Sequence, residues 1–168
     1  MIFLTVGTQF SFDRLVKSVD AVIGQNGCNE KMVAQIGHSS YRPRNLEAVS
    51  FLEERVFDKY VREASCVISH AGIGIITMAL DNEKPLLVMP RSRKYGEVVN
   101  DHQVAIARKF EELGHLLVAY DVNDLADGIR KLKDFVPRKR KASPHAVADR
   151  IRFFLNSLSR FRQGQARG

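Results

Sequence analysis

Short apolar runs alternate along this chain with longer stretches in which apolar residues recur at helical spacing. Residues 1–6 form the first run and end at Gly7-Thr8-Gln9, after which Phe12, Leu15, Val16, Val19, Val22 and Ile23 fall on one helical face. This predicts a βα unit. Asn26-Gly27 marks a turn, residues 32–36 read as a second strand ending at Gly37, and residues 41–45 as an extended loop. A short strand over 48–51, an amphipathic helix over 51–64, a strand over 66–69 and a helix over 72–80 follow. Pro85 and Pro90 then enclose the strand Leu86-Leu87-Val88-Met89.

Val99, Gln103, Ile106, Phe110 and Leu113 share a helical face that Gly114 is placed to cap. Residues 116–119 predict a last buried strand. Asp121 is a suitable N-cap for a helix through Leu132, with Asp124 in its first turn. After the Val136-Pro137 break, Ser143-Pro144 opens a final helix carrying Val147, Ile151, Phe154, Leu155 and Leu158 in register, with Phe153 and Phe161 as surplus apolar surface. Short apolar strands separated by helices predict an α/β fold, a Rossmann-like doubly wound parallel sheet. Ligands of such sheets bind at the carboxyl ends of the strands, where Thr8, Gly37, Ser69 with His70, and Pro90 all fall.

Composition limits the alternatives. At 168 residues and 45% hydrophobic content the chain suits one globular body, read as residues 1–135, followed by a basic linker and helix over 136–168. No window approaches a membrane span, and the start lacks a basic leader region. Cys28 and Cys66 lack metal-ligand spacing, which fits a reducing, cytoplasmic setting. The net charge of +7 belongs to the tail: residues 1–137 hold 17 basic and 18 acidic residues, and residues 138–168 hold 9 basic residues and only Asp149. That tail is suited to anionic lipid headgroups or an acidic partner, or is simply solvated. With no basic face on the body, nucleic acid is not an expected partner.

The densest chemistry lies in Ile68-Ser69-His70-Ala71-Gly72-Ile73-Gly74, a buried strand feeding a glycine-bearing turn that opens a helix. Such a turn presents amides and a helix dipole to phosphate. Asn100-Asp101-His102-Gln103, further along, is rich in groups that bond hydroxyls. Each residue also has a plainer reading. His70 could be a satisfied structural histidine, and Thr8 and Gln9 helix caps. Asp101 could be an N-cap and Gln103 a buried amide.

Val6-Gly7-Thr8-Gln9-Phe10, Gln35-Ile36-Gly37, the His70 turn, Lys84-Pro85-Leu86-Leu87-Val88-Met89-Pro90 and Asn100-Asp101-His102-Gln103 occur in the order seen in the glycosyltransferase family 28 C-terminal domain, which residues 1–135 resemble. The resemblance extends to bacterial exopolysaccharide subunits of glucuronosyltransferase type and to the catalytic subunit of the split eukaryotic UDP-GlcNAc transferase. It implies the donor-binding half of a GT-B enzyme, active with a membrane-anchored, acceptor-binding partner and a lipid-linked sugar acceptor at the inner face of the cell membrane. By resemblance, Thr8, Gln9, His70, Ala71, Gly72 and Gly74 face the UDP diphosphate without metal or other cofactor. Asn100, Asp101, His102 and Gln103 face the donor sugar.

Two departures qualify this. Ile75 and Met78 stand where some relatives have a small hydroxylated residue and a ribose-binding glutamate, so the ribose contact is unassigned. Thr77 replaces the third glycine of a dinucleotide fingerprint, which disfavours a nicotinamide cofactor. Arg91, Arg93 and Lys94 follow the strand-ending Pro90, so a carboxylated sugar, glucuronic acid, is the favoured donor, ahead of galactose or N-acetylglucosamine; a solvated basic loop is the alternative. Inversion at the anomeric carbon requires a general base, for which His70 and His102 are the chain's own candidates. A non-catalytic nucleotide-sugar-binding regulatory or assembly module, and an unrelated doubly wound enzyme acting on a phosphorylated substrate, are the competing classes.

Overall fold

The computed structural model describes residues 1–26 and 30–139. The strands are β1 (Ile2–Thr5), β2 (Met32–Gln35), β3 (Glu47–Val49), β4 (Cys66–His70), β5 (Leu86–Met89) and β6 (Leu117–Val118). They form one parallel sheet in the order β3-β2-β1-β4-β5-β6. The connections run through α1 (Asp13–Asn26), α2 (Glu54–Glu63), α3 (Ile73–Asp81) and α4 (His102–Glu112), and α5 (Leu125–Leu132) follows β6. This is the doubly wound, Rossmann-like architecture, with the direction of winding reversing between β1 and β4.

Alternation along each strand divides the core into two layers. Ile2, Leu4, Cys66, Ile68, Leu87 and Met89 face one layer, which α1 and α5 close with Val16, Val19, Leu125, Ile129 and Leu132. Phe3, Val67, Leu86 and Val88 face the other, closed by Val61 of α2, Ile76 and Ala79 of α3, and Ala107 of α4. All residues of β1 and β5 are buried, which explains their unbroken apolar runs.

Several boundaries differ from the sequence reading. Val99 is 91% exposed, and α4 begins only at His102, whose backbone N–H donates to Asn100 Oδ1 (3.3 Å). Asp101 thus holds the N-cap position as expected, but the first helical N–H is met by Asn100, one residue earlier. The carboxylate of Asp101 turns back instead, accepting from Ser92 Oγ (3.1 Å) and the Arg93 N–H (2.8 Å). Phe51 precedes α2, is exposed, and meets the ring of His38 at 4.9 Å. β3 lies slightly earlier than expected and is exposed throughout, as an edge strand. The last strand pairs only through the half-buried Leu117 and Val118, because it is the opposite edge. Asp121 caps one 3₁₀ turn, not α5 directly, in a reciprocal capping box with Asp124. The final helix expected after Ser143 and the turn residue Gly27 lie outside the described residues.

The long connection before β3 is fastened by Asp20 of α1, a buried carboxylate. It accepts from the Tyr41 hydroxyl (2.6 Å) and from the N–H groups of Arg44 (3.1 Å) and Asn45 (2.8 Å). Burial alone would raise its pKa, but these donors together hold it below the ordinary carboxylate value. Asp20→Ala strands those donors and is expected to lower stability by about 3 kcal/mol. Urea unfolding checks this; a loss under about 0.5 kcal/mol would show the fastening to be dispensable.

Candidate functional site

β1 and β4 pair with Thr5 beside Ser69, so their C-terminal ends are level and their exit loops lie side by side at the point where the winding reverses. Gly7 leaves β1 with φ +77°, a left-handed conformation that a side chain would strain. Gly72 precedes the first turn of α3. A cavity of about 640 Å³ opens between these loops, a size suited to a nucleotide ligand.

His70 stands between the two loops. A Cβ on Gly7 would come within 2.9 Å of the His70 ring, and one on Gly72 would collide with its Nε2. The two glycines therefore form the slot that the imidazole fills. A Cβ on Gly74 would meet nothing within 4 Å, so that residue faces open space at the helix N-terminus, where an anion can approach the amides. Ser69 Oγ donates to the Thr5 carbonyl (2.7 Å), leaving its oxygen to accept from His70 Nδ1–H (3.1 Å). This fixes the tautomer with Nε2 unprotonated. Burial, reinforced by the nearby Arg91 cation and opposed by a backbone contact at Thr5, lowers the His70 pKa to about 4. The ring is neutral at neutral pH.

Arg91 is only 3% exposed. Its Nη2 donates to the carbonyls of Val6 and Phe10, both at 2.8 Å, so it braces the first glycine loop from the end of β5. Its guanidinium lies 4.8 Å from the Phe12 ring centroid. Burial lowers its pKa to about 10, with Glu97 opposing, and it stays charged at neutral pH. Gln103, also buried, accepts from the Arg91 backbone N–H (3.1 Å). Outside the cavity, Arg14 pairs with Glu97 at 2.7 and 2.8 Å, bonds the Pro90 carbonyl (3.0 Å) and lies 4.2 Å from the Tyr95 ring centroid.

Of the residues expected at the site, Thr8, Gln9, His70, Gly72, Gly74, Arg91, His102 and Gln103 line this one cavity. Ala71 is buried in the core, and Asn100 and Asp101 serve the turn into α4. Arg93 and Lys94 are exposed on the outer turn, with Lys94 Nζ 3.8 Å from Asp121. The expected cluster of three cations is thus reduced in the cavity to Arg91. His102 Nδ1 bonds Asn100 Oδ1, which places the Nδ1 proton on that side and leaves Nε2 as an acceptor. The sequence reading missed the wall formed by Leu52, Glu54, Phe57 and Asp58, and the role of Gln35. Gln35 Oε1 accepts from the Leu52 N–H (3.1 Å), joining this wall to β2.

The model of the glycosyltransferase family 28 C-terminal domain matches residues 1–155. The chain belongs to this family. It is 32% identical over 127 residues to the UDP-N-acetylglucosamine transferase subunit ALG13 of Eremothecium gossypii, covering 74% of this chain and 60% of the relative. It is 34% identical over 125 residues to the Homo sapiens subunit of the same name, covering 68% of this chain but 10% of the relative. The family 28 domain therefore spans only part of these relatives. Its fold is similar to Acinetobacter baumannii MurG (TM-score 0.61, 19% identity, 80% of this chain and 42% of that one). It is also similar to a solution structure of ALG13 (TM-score 0.58, 21% identity, 89% and 93%). The architecture is the one found in the donor-binding half of GT-B glycosyltransferases.

Two outcomes test this family 28 site. Because the folded His70 pKa lies below the unfolded value, stability is fully present above about pH 6.5 and falls as pH drops toward 4, by about 3 kcal/mol. His70→Gln should remove that share of the acid loss in urea unfolding at a series of pH values. Arg91→Met should cost about 3 kcal/mol by freeing two buried carbonyls, and should raise the His70 pKa, read by NMR titration. An unchanged His70 titration would remove Arg91 as a cause.

Proposed function

We propose that this chain is the donor-binding catalytic subunit of a split, inverting GT-B glycosyltransferase, which transfers a sugar from a UDP-sugar to a lipid-linked acceptor. The observation that carries this is the convergence of Gly7, Gly72, Gly74 and charged Arg91 on one cavity at the switch point of the sheet. In this reading the diphosphate lies against the loop amides and the N-terminus of α3. The acceptor hydroxyl attacks the anomeric carbon, the carbon–oxygen bond to the β-phosphate breaks, and the charge gathering on departing UDP is met by donors already in place. Preorganised donors of this kind contribute several kcal/mol to the barrier. No metal or other cofactor is assigned to the step.

GT-B chemistry takes place between two facing domains, and the described residues form one. The second is assigned to a membrane-anchored, acceptor-binding partner, which would hold the complex at the inner face of the cell membrane. Among the described residues no helix is long and apolar enough to cross a membrane. The basic segment over 136–168 is assigned to docking that partner and to anionic lipid. The general base is assigned to the partner's side of the cleft, with His102 Nε2 as this chain's own candidate. His70, with a pKa near 4, is too weak a base at neutral pH.

N-acetylglucosamine is the donor sugar favoured by the curated relatives. Glucuronic acid, as in exopolysaccharide biosynthesis, is the second reading, and the cation Arg91 in the cavity wall favours it. The test is transfer from radiolabelled UDP-N-acetylglucosamine, UDP-glucuronate and UDP-galactose to a lipid-linked acceptor, using the chain co-expressed with an acceptor-binding partner. Transfer by the pair and by neither protein alone is expected. Gly72→Ala should reduce it about a hundredfold by displacing His70 and the adjoining amides. UDP-sugar binding without transfer by any pair would make the chain a regulatory or assembly module.

A further inference from the structure

The segment between β5 and α4, residues 90–101, serves the donor cavity with Arg91 at its start and Val98 within it, and leads directly into His102 and Gln103. Loops of this kind are ordinarily the mobile part of a site. Here two linked closures restrain it. Arg14 of α1 donates through Nη2 to the Pro90 carbonyl (3.0 Å) and grips Glu97 with Nε and Nη2 (2.7 and 2.8 Å), so one guanidinium ties the start of the segment to its middle. Glu97 also accepts from the Ser92 N–H (3.0 Å).

Ser92 passes the restraint onward. Its Oγ donates to Asp101 (3.1 Å), which accepts from the Arg93 N–H as well (2.8 Å) and is the residue from which α4 starts. Gln103, in the first turn of α4, returns to the strand end by accepting from the Arg91 N–H (3.1 Å). A continuous run of bonds therefore leads from Arg14 through Glu97, Ser92 and Asp101 to the two residues assigned to the sugar. The tip is drawn outward: the Tyr95 ring lies 4.2 Å from the Arg14 guanidinium, and its hydroxyl donates to Asp121 (2.9 Å). The Arg14 and Glu97 side chains are only 13% and 12% exposed, and neither lines the donor cavity. A pair so sheltered gains little net stability over apolar residues of similar size, because both charges leave water, whereas its two-pronged geometry fixes orientation.

We propose that Arg14 and Glu97 are positioning residues for the sugar end of the donor: by closing residues 90–101 they set where His102 and Gln103 meet the sugar. The diphosphate end does not depend on them, since the loop after β1 has its own brace in Arg91, through the Val6 and Phe10 carbonyls. This rests on the proposed UDP-sugar site and adds to it a pair outside its walls.

The test is calorimetric binding of UDP, UDP-N-acetylglucosamine and UDP-glucuronate to the full chain as wild type, Arg14→Met, Glu97→Gln, the double variant and Ser92→Ala. The quantity read is the dissociation constant of the more tightly bound UDP-sugar divided by that of UDP. Each single charge variant should raise this ratio about tenfold, with UDP itself changed less than about twofold, and the double variant should raise it no further, because the pair acts as a unit. The double variant leaves no uncompensated charge, so it keeps the test open where a single variant unfolds. Ser92→Ala breaks only the link to Asp101 and should raise the ratio about threefold. In amide NMR spectra of the ligand-free chain, the His102 and Gln103 signals should shift in the double variant and those of Thr8 and Gly72 should not. A ratio unchanged in the folded double variant, equal weakening of UDP and UDP-sugar, or a wild type that binds UDP but neither UDP-sugar overturns the inference and leaves the UDP site standing. Failure of the wild type to bind UDP overturns both.

Discussion

The level pairing of β1 with β4 is the constraint on which the site depends. Thr5 beside Ser69 brings the two strands to an end together, so the Gly7 and Gly72 loops face each other across the width of one imidazole. A slip of one residue would turn Ile2, Leu4, Cys66 and Ile68 to the wrong face of the sheet. The two-layer core thus enforces the register, and the register places the loops. His70 then uses the space: its Nδ1 proton is bound to Ser69, whose own proton is bound to Thr5, so a chain of bonds from β1 fixes the ring at the end of β4.

Two cations, Arg91 buried and Arg14 half-buried, hold the rest of the rim. Arg91 connects the end of β5 to the loop after β1 through the carbonyls of Val6 and Phe10. Arg14 connects α1 to the turn after β5 through Glu97 and Pro90. Phe12 lies against both guanidinium groups, at 5.2 Å from Arg14 and 4.8 Å from Arg91. Removing charges from water is costly unless each is paired or bonded, so these contacts permit few alternative loop positions. A loop whose amides are to hold an anion benefits from that restriction, because little reorganisation is left for the moment of binding.

The strands, their order of appearance and the His70 turn were legible in the sequence because fully buried strands and glycine-bearing turns leave local signals. The strand Leu86–Met89 between its prolines has the same limits in the structure. Polar residues with two plausible roles were less legible. Arg91 reads from sequence like its neighbours Arg93 and Lys94, and only the approach of Val6 and Phe10, more than eighty positions away, makes it a brace. Asp101 reads as an N-cap and holds that position before α4, yet its carboxylate is spent on Ser92 and the Arg93 N–H, brought to it by the turn after β5, while the first helical N–H goes to Asn100. Glu54, Phe57 and Asp58 share a face at helical spacing, but nothing local states that this face meets a cavity.

By itself, the sequence determined the alternation of strands and helices, the two glycine turns and the family to which the chain belongs. These follow from hydrophobic period and from backbone conformations that few residues tolerate, and both act over a handful of neighbouring positions. Tertiary structure alone decided which charged and polar side chains face the cavity and which are spent on the framework. That choice depends on carbonyls and amides contributed by distant segments, whose demand for partners arises only when the sheet brings them out of water together.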